Sequence, residues 1–241
     1  MSSFILKIIA VISMFIDHIA YVAPSGNSIY FNMVGRIAFP IFAYQSVQAY
    51  VHTKNLKKHL IKLAIFEVIS QLPFSLFFSA FTTDFTLNIF FTFLLALFAL
   101  YLYDKCKNKL LGFIIIILFS IVGELIKVDY GAFGILLIFV FYYFEKEFKD
   151  KTLHIGNIGI SSNKLLMSII VIIMSFAKYL SNIFKYNNHI NYYMWFALFT
   201  SASLIFILLY NKQEGPKVKY FFYIFYPLHL TILYLINTFL I

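Results

Sequence analysis

The sequence predicts an all-α membrane protein: a polytopic bundle of about nine transmembrane helices in a single domain over residues 1–241, with its N-terminus in the cytoplasm. Three observations predict it. Of the 241 residues, 62% are hydrophobic and 12% are charged, about half the charged share of a soluble domain and too little to cover a soluble surface. The apolar residues fall into stretches near the roughly 20 residues that a spanning helix needs, separated by short polar breaks. Lysines gather in alternate breaks, as the excess of positive charge in cytoplasmic loops demands.

The expected helices follow in order. The first runs over about Phe4–Val22 and ends at the turn Ala23-Pro24-Ser25-Gly26-Asn27. It shows no cleavage site, and Asp17 and His18 interrupt its apolar run, so it reads as retained rather than as a signal peptide. The second covers Ser28–Tyr50, with Gly35 and Pro40 as candidate breaks. Ile61–Ala80 (with Pro73 as a further candidate break), Phe85–Tyr103, Leu110–Gly123 and Tyr130–Phe144 follow. Leu110–Gly123 is short and gains length if it extends through Glu124. Lys164–Leu180, Tyr192–Tyr210 and Lys219–Leu240 complete the set. The break from Glu145 to Asn163 is rich in charge and reads as a solvated loop between two halves.

Nine helices with the N-terminus inside leave only Lys127, Lys178 and Lys185 in outer loops. Lys7 and Arg36 lie within helices, and the other lysines fall on the cytoplasmic side. The net charge of +9 is therefore a record of topology, and no nucleic-acid partner is expected. The single cysteine, Cys106, excludes an internal disulfide and a cysteine metal cluster. HExxH, CxxC, GxSxG and a lysine-bearing phosphate loop are all missing from the sequence, so no metal is predicted.

Ionisable groups within the helices are where function is to be sought, because charge in hydrocarbon is costly and marks working positions. Asp17, His18, Arg36, Glu67 and His229 stand out. At about 1.5 Å of rise per residue, His18 and Arg36 both fall outward of the middle of their helices. A short connection makes the two helices neighbours, so Asp17, His18 and Arg36 can share one buried layer, which His229 can join. Asp17 and His18 are adjacent and point about 100° apart on a helix, so the expected partner of Asp17 is Arg36 or another helix rather than His18. A buried imidazole can act as a general base, and an arginine can stabilise a developing oxyanion. Each also has a structural alternative: an ion pair for Asp17 with Arg36, a helix contact for Glu67, a satisfied interior ring for His18 or His229. His52 and His59 read as solvated members of a basic loop.

Several blocks, taken in order, resemble the TraX family. They are Leu6-Lys7-Ile8-Ile9-Ala10 through Ile16-Asp17-His18, Gly35-Arg36-Ile37-Ala38-Phe39-Pro40-Ile41-Phe42, and His52-Thr53-Lys54-Asn55. Phe66-Glu67 through Pro73-Phe74, Asn88-Ile89-Phe90-Phe91-Thr92 and Asp129-Tyr130-Gly131-Ala132-Phe133-Gly134 continue the series, and Lys219-Tyr220 through Tyr226-Pro227-Leu228-His229 ends it. The resemblance implies an acetyltransferase in the bacterial cytoplasmic membrane, whose best-known member acetylates the amino terminus of pilin subunits. A looser resemblance is to polytopic acyltransferases with a basic residue, ten residues and then a histidine in the first helix; Lys7 and His18 have that spacing. Together these imply that acetyl-CoA is the donor and that His18 is the general base. Arg36 would stabilise negative charge and Asp17 would position it. Lys7, Lys54, Lys57 and Lys58, with Arg36, would meet coenzyme A. Glu67, Asn88, Asp129, Tyr226 and His229 would bind substrate. The acceptor, a pilin-like peptide, a glycan or a lipid, stays open.

Two other classes fit the residues. A proton-coupled transporter would use Asp17, Glu67 and the histidines as a relay. A non-enzymatic assembly factor would use them for stability and association.

Overall fold

The computed structural model describes residues 1–23, 28–148, 152–155, 158–185, 190–216, 218 and 220–239. The expected turn residues Pro24-Ser25-Gly26-Asn27, and Lys149, Lys151, His189, Lys217 and Lys219, lie outside the described residues. The described chain forms ten α-helices, one π-helical turn and one short hairpin.

Helix α1 (Ser3–Val22) starts where the Ser2 hydroxyl accepts from the Ile5 amide. The second expected helix is two: α2 (Ser28–Gly35) and α3 (Ala38–His52). The break at Arg36 and Ile37 has a cause in Pro40. Proline has no N–H to give the carbonyl four residues back, and its ring crowds that carbonyl; the residue in question is Arg36. Helices α4 (Leu56–Ser79), α5 (Ile89–Lys105) and α6 (Lys109–Leu125) each begin after an asparagine. Asn55, Asn88 and Asn108 cap them by accepting from Lys58, Phe90 and Leu110 amides at 2.9, 3.0 and 2.9 Å, which satisfies donors the helix cannot. Pro73 sits inside α4 without ending it. Helix α6 does continue through Glu124.

After α7 (Gly131–Tyr142) comes a π-helical turn, Tyr143–Glu147, and then an antiparallel hairpin of β1 (Thr152–Ile155) and β2 (Ile158–Ser161). The break expected to be a solvated loop thus holds regular structure among its described residues. Helices α8 (Ser162–Lys185), α9 (Ile190–Leu208) and α10 (Phe221–Phe239) complete the chain.

Helix α1 packs on α2, α3 and α10; α10 packs on α4 and α4 on α5. Helices α5, α6 and α7 form one cluster and α8 with α9 another, and α3 and α7 link them. Tyr142, Phe141, Leu97, Leu100, Leu137 and Ile138 are fully buried in the middle. Between helices in lipid the attraction comes from close packing rather than from expelled water. Gly123 and Gly134 allow it, since a Cβ at either would meet Ile135 or Thr92.

The outside is apolar. Helix α6 exposes Leu110, Leu111, Ile114, Ile117, Leu118, Ile121 and Leu125, a face suited to hydrocarbon. Helices α1, α4, α8, α9 and α10 are long and apolar enough to cross a membrane. The chain is a membrane protein whose helices contact the lipid bilayer.

Polar links gather one end of the bundle. Asp104 at the end of α5 accepts from Tyr50 at 2.8 Å, from Lys146 at 2.9 Å and from Tyr142. Glu145 pairs with Lys212 at 2.9 Å and Glu147 with Lys109 at 2.6 Å. Backbone bonds from Ser3 and Phe4 to Gln213 and Glu214 bring the start of α1 to the same end. The breaks expected to be cytoplasmic therefore lie together.

Candidate functional site

Along one side of α1, Lys7, Met14, His18 and Tyr21 recur at helical spacing, with Asp17 beside them. Along α3 and the break before it, Arg36, Phe39, Phe42, Gln45, Ala49 and His52 do the same. These stripes wall a cavity of about 740 Å³, closed by residues of α4, α5 and α10 that include His59, Leu63, Phe93 and Tyr226. The cavity runs lengthwise. Its mouth at the linked end holds Ser3, Lys7, His52, Thr53, His59, Lys212 and Glu214. Its other end, deep as counted from that mouth, holds Asp17, His18, Arg36, Thr82, Thr86 and Asp129 and reaches the opposite loops, where Thr82 is exposed.

At the deep end, His18 Nδ1 lies 2.6 Å from His229 Nε2. His229 Nδ1 lies 2.8 Å from the carbonyl of Phe225, one turn back on α10. A carbonyl only accepts, so His229 Nδ1 carries a proton. In a neutral ring, Nε2 then has a lone pair, and His18 Nδ1 must donate to it. His18 Nε2 is left with the lone pair, in a residue that lines the cavity. The tautomer of each ring follows from one backbone carbonyl.

Arg36 Nη2 donates to Asp17 Oδ1 at 2.8 Å, and Arg36 Nε donates to the Asn32 carbonyl at 3.1 Å. The guanidinium lies over the Phe196 ring, 4.8 Å from its centre. Asp17 pairs with Arg36 and not with its neighbour His18, as the 100° offset predicts. Gly35 packs on this pair, since a Cβ there would fall on the Asp17 side chain. The break forced by Pro40 puts Arg36 between two helices, where its side chain can reach back to α1.

Asp129 lies between α6 and α7, outside the spans, and lines the deep end. Burial pushes its carboxyl up to about 6, against the pull of Lys178 and Arg36. Lys178 stands over the Tyr130 ring, 4.1 Å from its centre.

The structure sets Asp17, His18, Arg36, Asp129, Tyr226 and Lys7 on one cavity, with Lys7 at its mouth and His229 behind His18 rather than on the wall. It does not bring in the other expected residues. Lys54, Lys57 and Lys58 are exposed beside the mouth and off its wall. Asn88 is fully buried as a cap: its amide donates to the Glu67 carbonyl and to Gln71 Oε1, both at 2.9 Å. Glu67 is buried away from the cavity wall. His52 and His59 both line the mouth; His52 is exposed, as expected of a solvated residue, whereas His59 is half-buried there.

Sequence reading passed over Gln45 and Gln48. Both are buried on the cavity wall at 6% exposure. Their signal was an amide pair three residues apart in an apolar helix, which places both on one face.

The family model described as TraX protein matches residues 2–237. A probable fimbrial assembly protein, FimC of serogroup H1, from Dichelobacter nodosus, is 26% identical over 96% of this chain and 94% of its own length. No solved structure matches. With that match running through α1, the break at Arg36 and α10, all of which meet at the deep end of the cavity, the chain belongs to the TraX family.

Proposed function

We propose that this protein is a membrane-embedded acetyltransferase. It moves an acetyl group from cytoplasmic acetyl-CoA to a hydroxyl or amine acceptor in a pilus-related process, the acceptor being a pilin-like peptide terminus or an envelope glycan or lipid. The observation that carries this reading is the bonded pair of His18 and His229 at the deep end of the cavity, which leaves the free lone pair on Nε2 of His18, a cavity-lining residue. The likeness to the Dichelobacter fimbrial assembly protein supports the pilus-related setting. The basic end of the bundle is the cytoplasmic one on the positive-inside rule, and it holds the cavity mouth.

The reaction follows from the groups present. His18 Nε2 takes the proton from the acceptor O–H or N–H as the acceptor atom attacks the thioester carbonyl carbon. The carbonyl electrons move onto oxygen, where the Arg36 charge stabilises them. Asp17 holds Arg36 in place. His229 positions His18 and accepts its Nδ1–H bond while the ring is cationic. As the oxyanion collapses, the carbon–sulfur bond breaks and the thiolate takes the proton from His18 Nε2. Acceptor ester or amide and free coenzyme A result.

Labelled acetyl-CoA supplied to purified protein with native membrane extract tests this. Wild type transfers label to an acceptor, and His18→Ala loses about 10²–10⁴-fold while remaining folded. Full transfer by His18→Ala would remove the reading. Wild type that is folded and transfers no label favours a non-enzymatic assembly role, the second reading, which the likeness to a fimbrial assembly protein supports.

A further inference from the structure

We propose that the mouth half of the cavity binds the phosphopantetheine arm of coenzyme A, with Gln45 and Gln48 pairing with its amides and His52 and His59 meeting its phosphates. This rests on the acetyl-transfer reading and assigns donor recognition to residues outside its chemistry.

The first argument is unsatisfied hydrogen bonding. Gln48 Oε1 and Nε2, Gln45 Nε2 and His59 Nε2 are buried and have no hydrogen-bond partner among the described residues. The hydroxyl of Ser3 occupies Gln45 Oε1 at 2.7 Å, leaving only the Gln45 NH2 to be met. Each such group costs about 1–3 kcal/mol when left unpaired, and native proteins rarely keep them without a partner. All three residues stand on the wall of one cavity. A ligand with donors and acceptors of its own satisfies them together.

The second argument is the order of chemistry along the cavity. The mouth carries Lys7, His52, His59 and Lys212, which are groups for phosphate, although Glu214 stands on the same wall and Lys212 is paired with Glu145. The Gln45 and Gln48 layer comes next on α3, with groups for amides. Phe42, Phe39 and Phe93 follow, and His18 stands at the deep end. Coenzyme A has the same order: phosphates, amides, a short alkyl stretch and sulfur. The rise from Lys7 to His18 on α1 is about 16 Å, on the scale of the arm. His52 adds a detail: its Nδ1 donates to the Gln48 carbonyl at 2.9 Å, which fixes its ring on the same turn as the amide layer.

The test uses full-length protein in nanodiscs, with coenzyme A and pantetheine as probes in calorimetric titrations. Gln48→Met keeps the side-chain volume and removes the unpaired amide. It binds both probes about tenfold more weakly, since one hydrogen bond is worth up to that factor, yet melts at the same or a higher temperature because an unsatisfied buried group is gone. A merely structural glutamine would give the opposite thermal result. His59→Ala weakens coenzyme A and leaves pantetheine unchanged. Wild-type affinity in both Gln48→Met and His59→Ala would overturn the assignment and leave acetyl transfer standing. Folded wild type that binds no coenzyme A would overturn it as well. Weakened binding in both variants of a protein that transfers no acetyl would uphold the site and remove the transfer reading.

Discussion

The two ends of the cavity treat their polar groups in opposite ways. At the deep end, His18 is bonded to His229, His229 to a backbone carbonyl, and Arg36 to Asp17 and the Asn32 carbonyl. Toward the mouth, Gln45, Gln48 and His59 keep buried atoms without partners among the described residues. A reacting centre benefits from groups fixed before substrate arrives, because nothing then reorganises during the step. A ligand channel benefits from groups whose bonds are completed by what enters. The contrast therefore separates positions that should govern rate from positions that should govern affinity.

Breaking the partnered end has the largest expected effects. His229→Phe keeps a ring of similar size but leaves His18 unheld, and acetyl transfer should fall roughly 10²-fold, the cost of a displaced reacting group. His229→Gln, which retains an acceptor, should recover part of that loss, and steady-state rates on the identified acceptor check both. A purely structural role would lower yield and leave the rate per folded molecule unchanged.

Arg36→Met comes next. It leaves Asp17 without its ion, in a pair whose side chains are 18% and 15% exposed. About 3 kcal/mol of stability should be lost, the lower end for breaking a buried pair. Asp17→Asn combined with Arg36→Met should restore much of it, as thermal unfolding in nanodiscs would read. Equal losses in the single and double variants would show that the pair does not act as a unit.

Gly35→Ala tests the same layer from the backbone side. Its Cβ would collide with Asp17, and overpacking of this kind costs about 1–3 kcal/mol. Retention of wild-type stability would mean that Asp17 has room to move.

The smallest effect tests the edge of the deep end. Burial raises the Asp129 carboxyl to about 6, while Lys178 and Arg36 pull it down and Asp17 pushes it up. An acid whose folded value is raised contributes stability at low pH and loses it as pH rises through that value. Asp129→Asn should therefore match wild type near pH 4 and melt higher than wild type above pH 6. The reverse order above pH 6 would mean that the charged form is the one Lys178 and Arg36 hold.

Much of this was legible in residue order. The apolar stretches marked the helices to within a few residues, and Pro40 marked a possible break at the place where α2 gives way to α3. Depth along the helices singled out Asp17, His18, Arg36 and His229, and the 100° offset of adjacent helical residues separated the partners of Asp17 and His18. Other assignments failed for physical reasons. Lys54, Lys57 and Lys58 were grouped with the cavity by charge, but charge does not say which side of a loop a residue takes. Asn88 stood next to an apolar run, which is also what a helix cap looks like, and capping is the role it has. His59 seemed solvated because the lysines around it are, yet it is half-buried on the cavity wall.

By itself, the sequence determined the solvent, the approximate extent of most of the helices, and which buried groups carry charge, while the second expected helix proved to be two. Hydrocarbon permits few alternatives to apolar helices and penalises each ion placed in it. Only the tertiary structure decided which face of α3 meets the cavity, that His229 from the last helix stands behind His18 from the first, and that two glutamines face an open channel. Those facts depend on contacts between residues up to 211 positions apart, and helical periodicity gives the direction of a side chain only relative to its own helix.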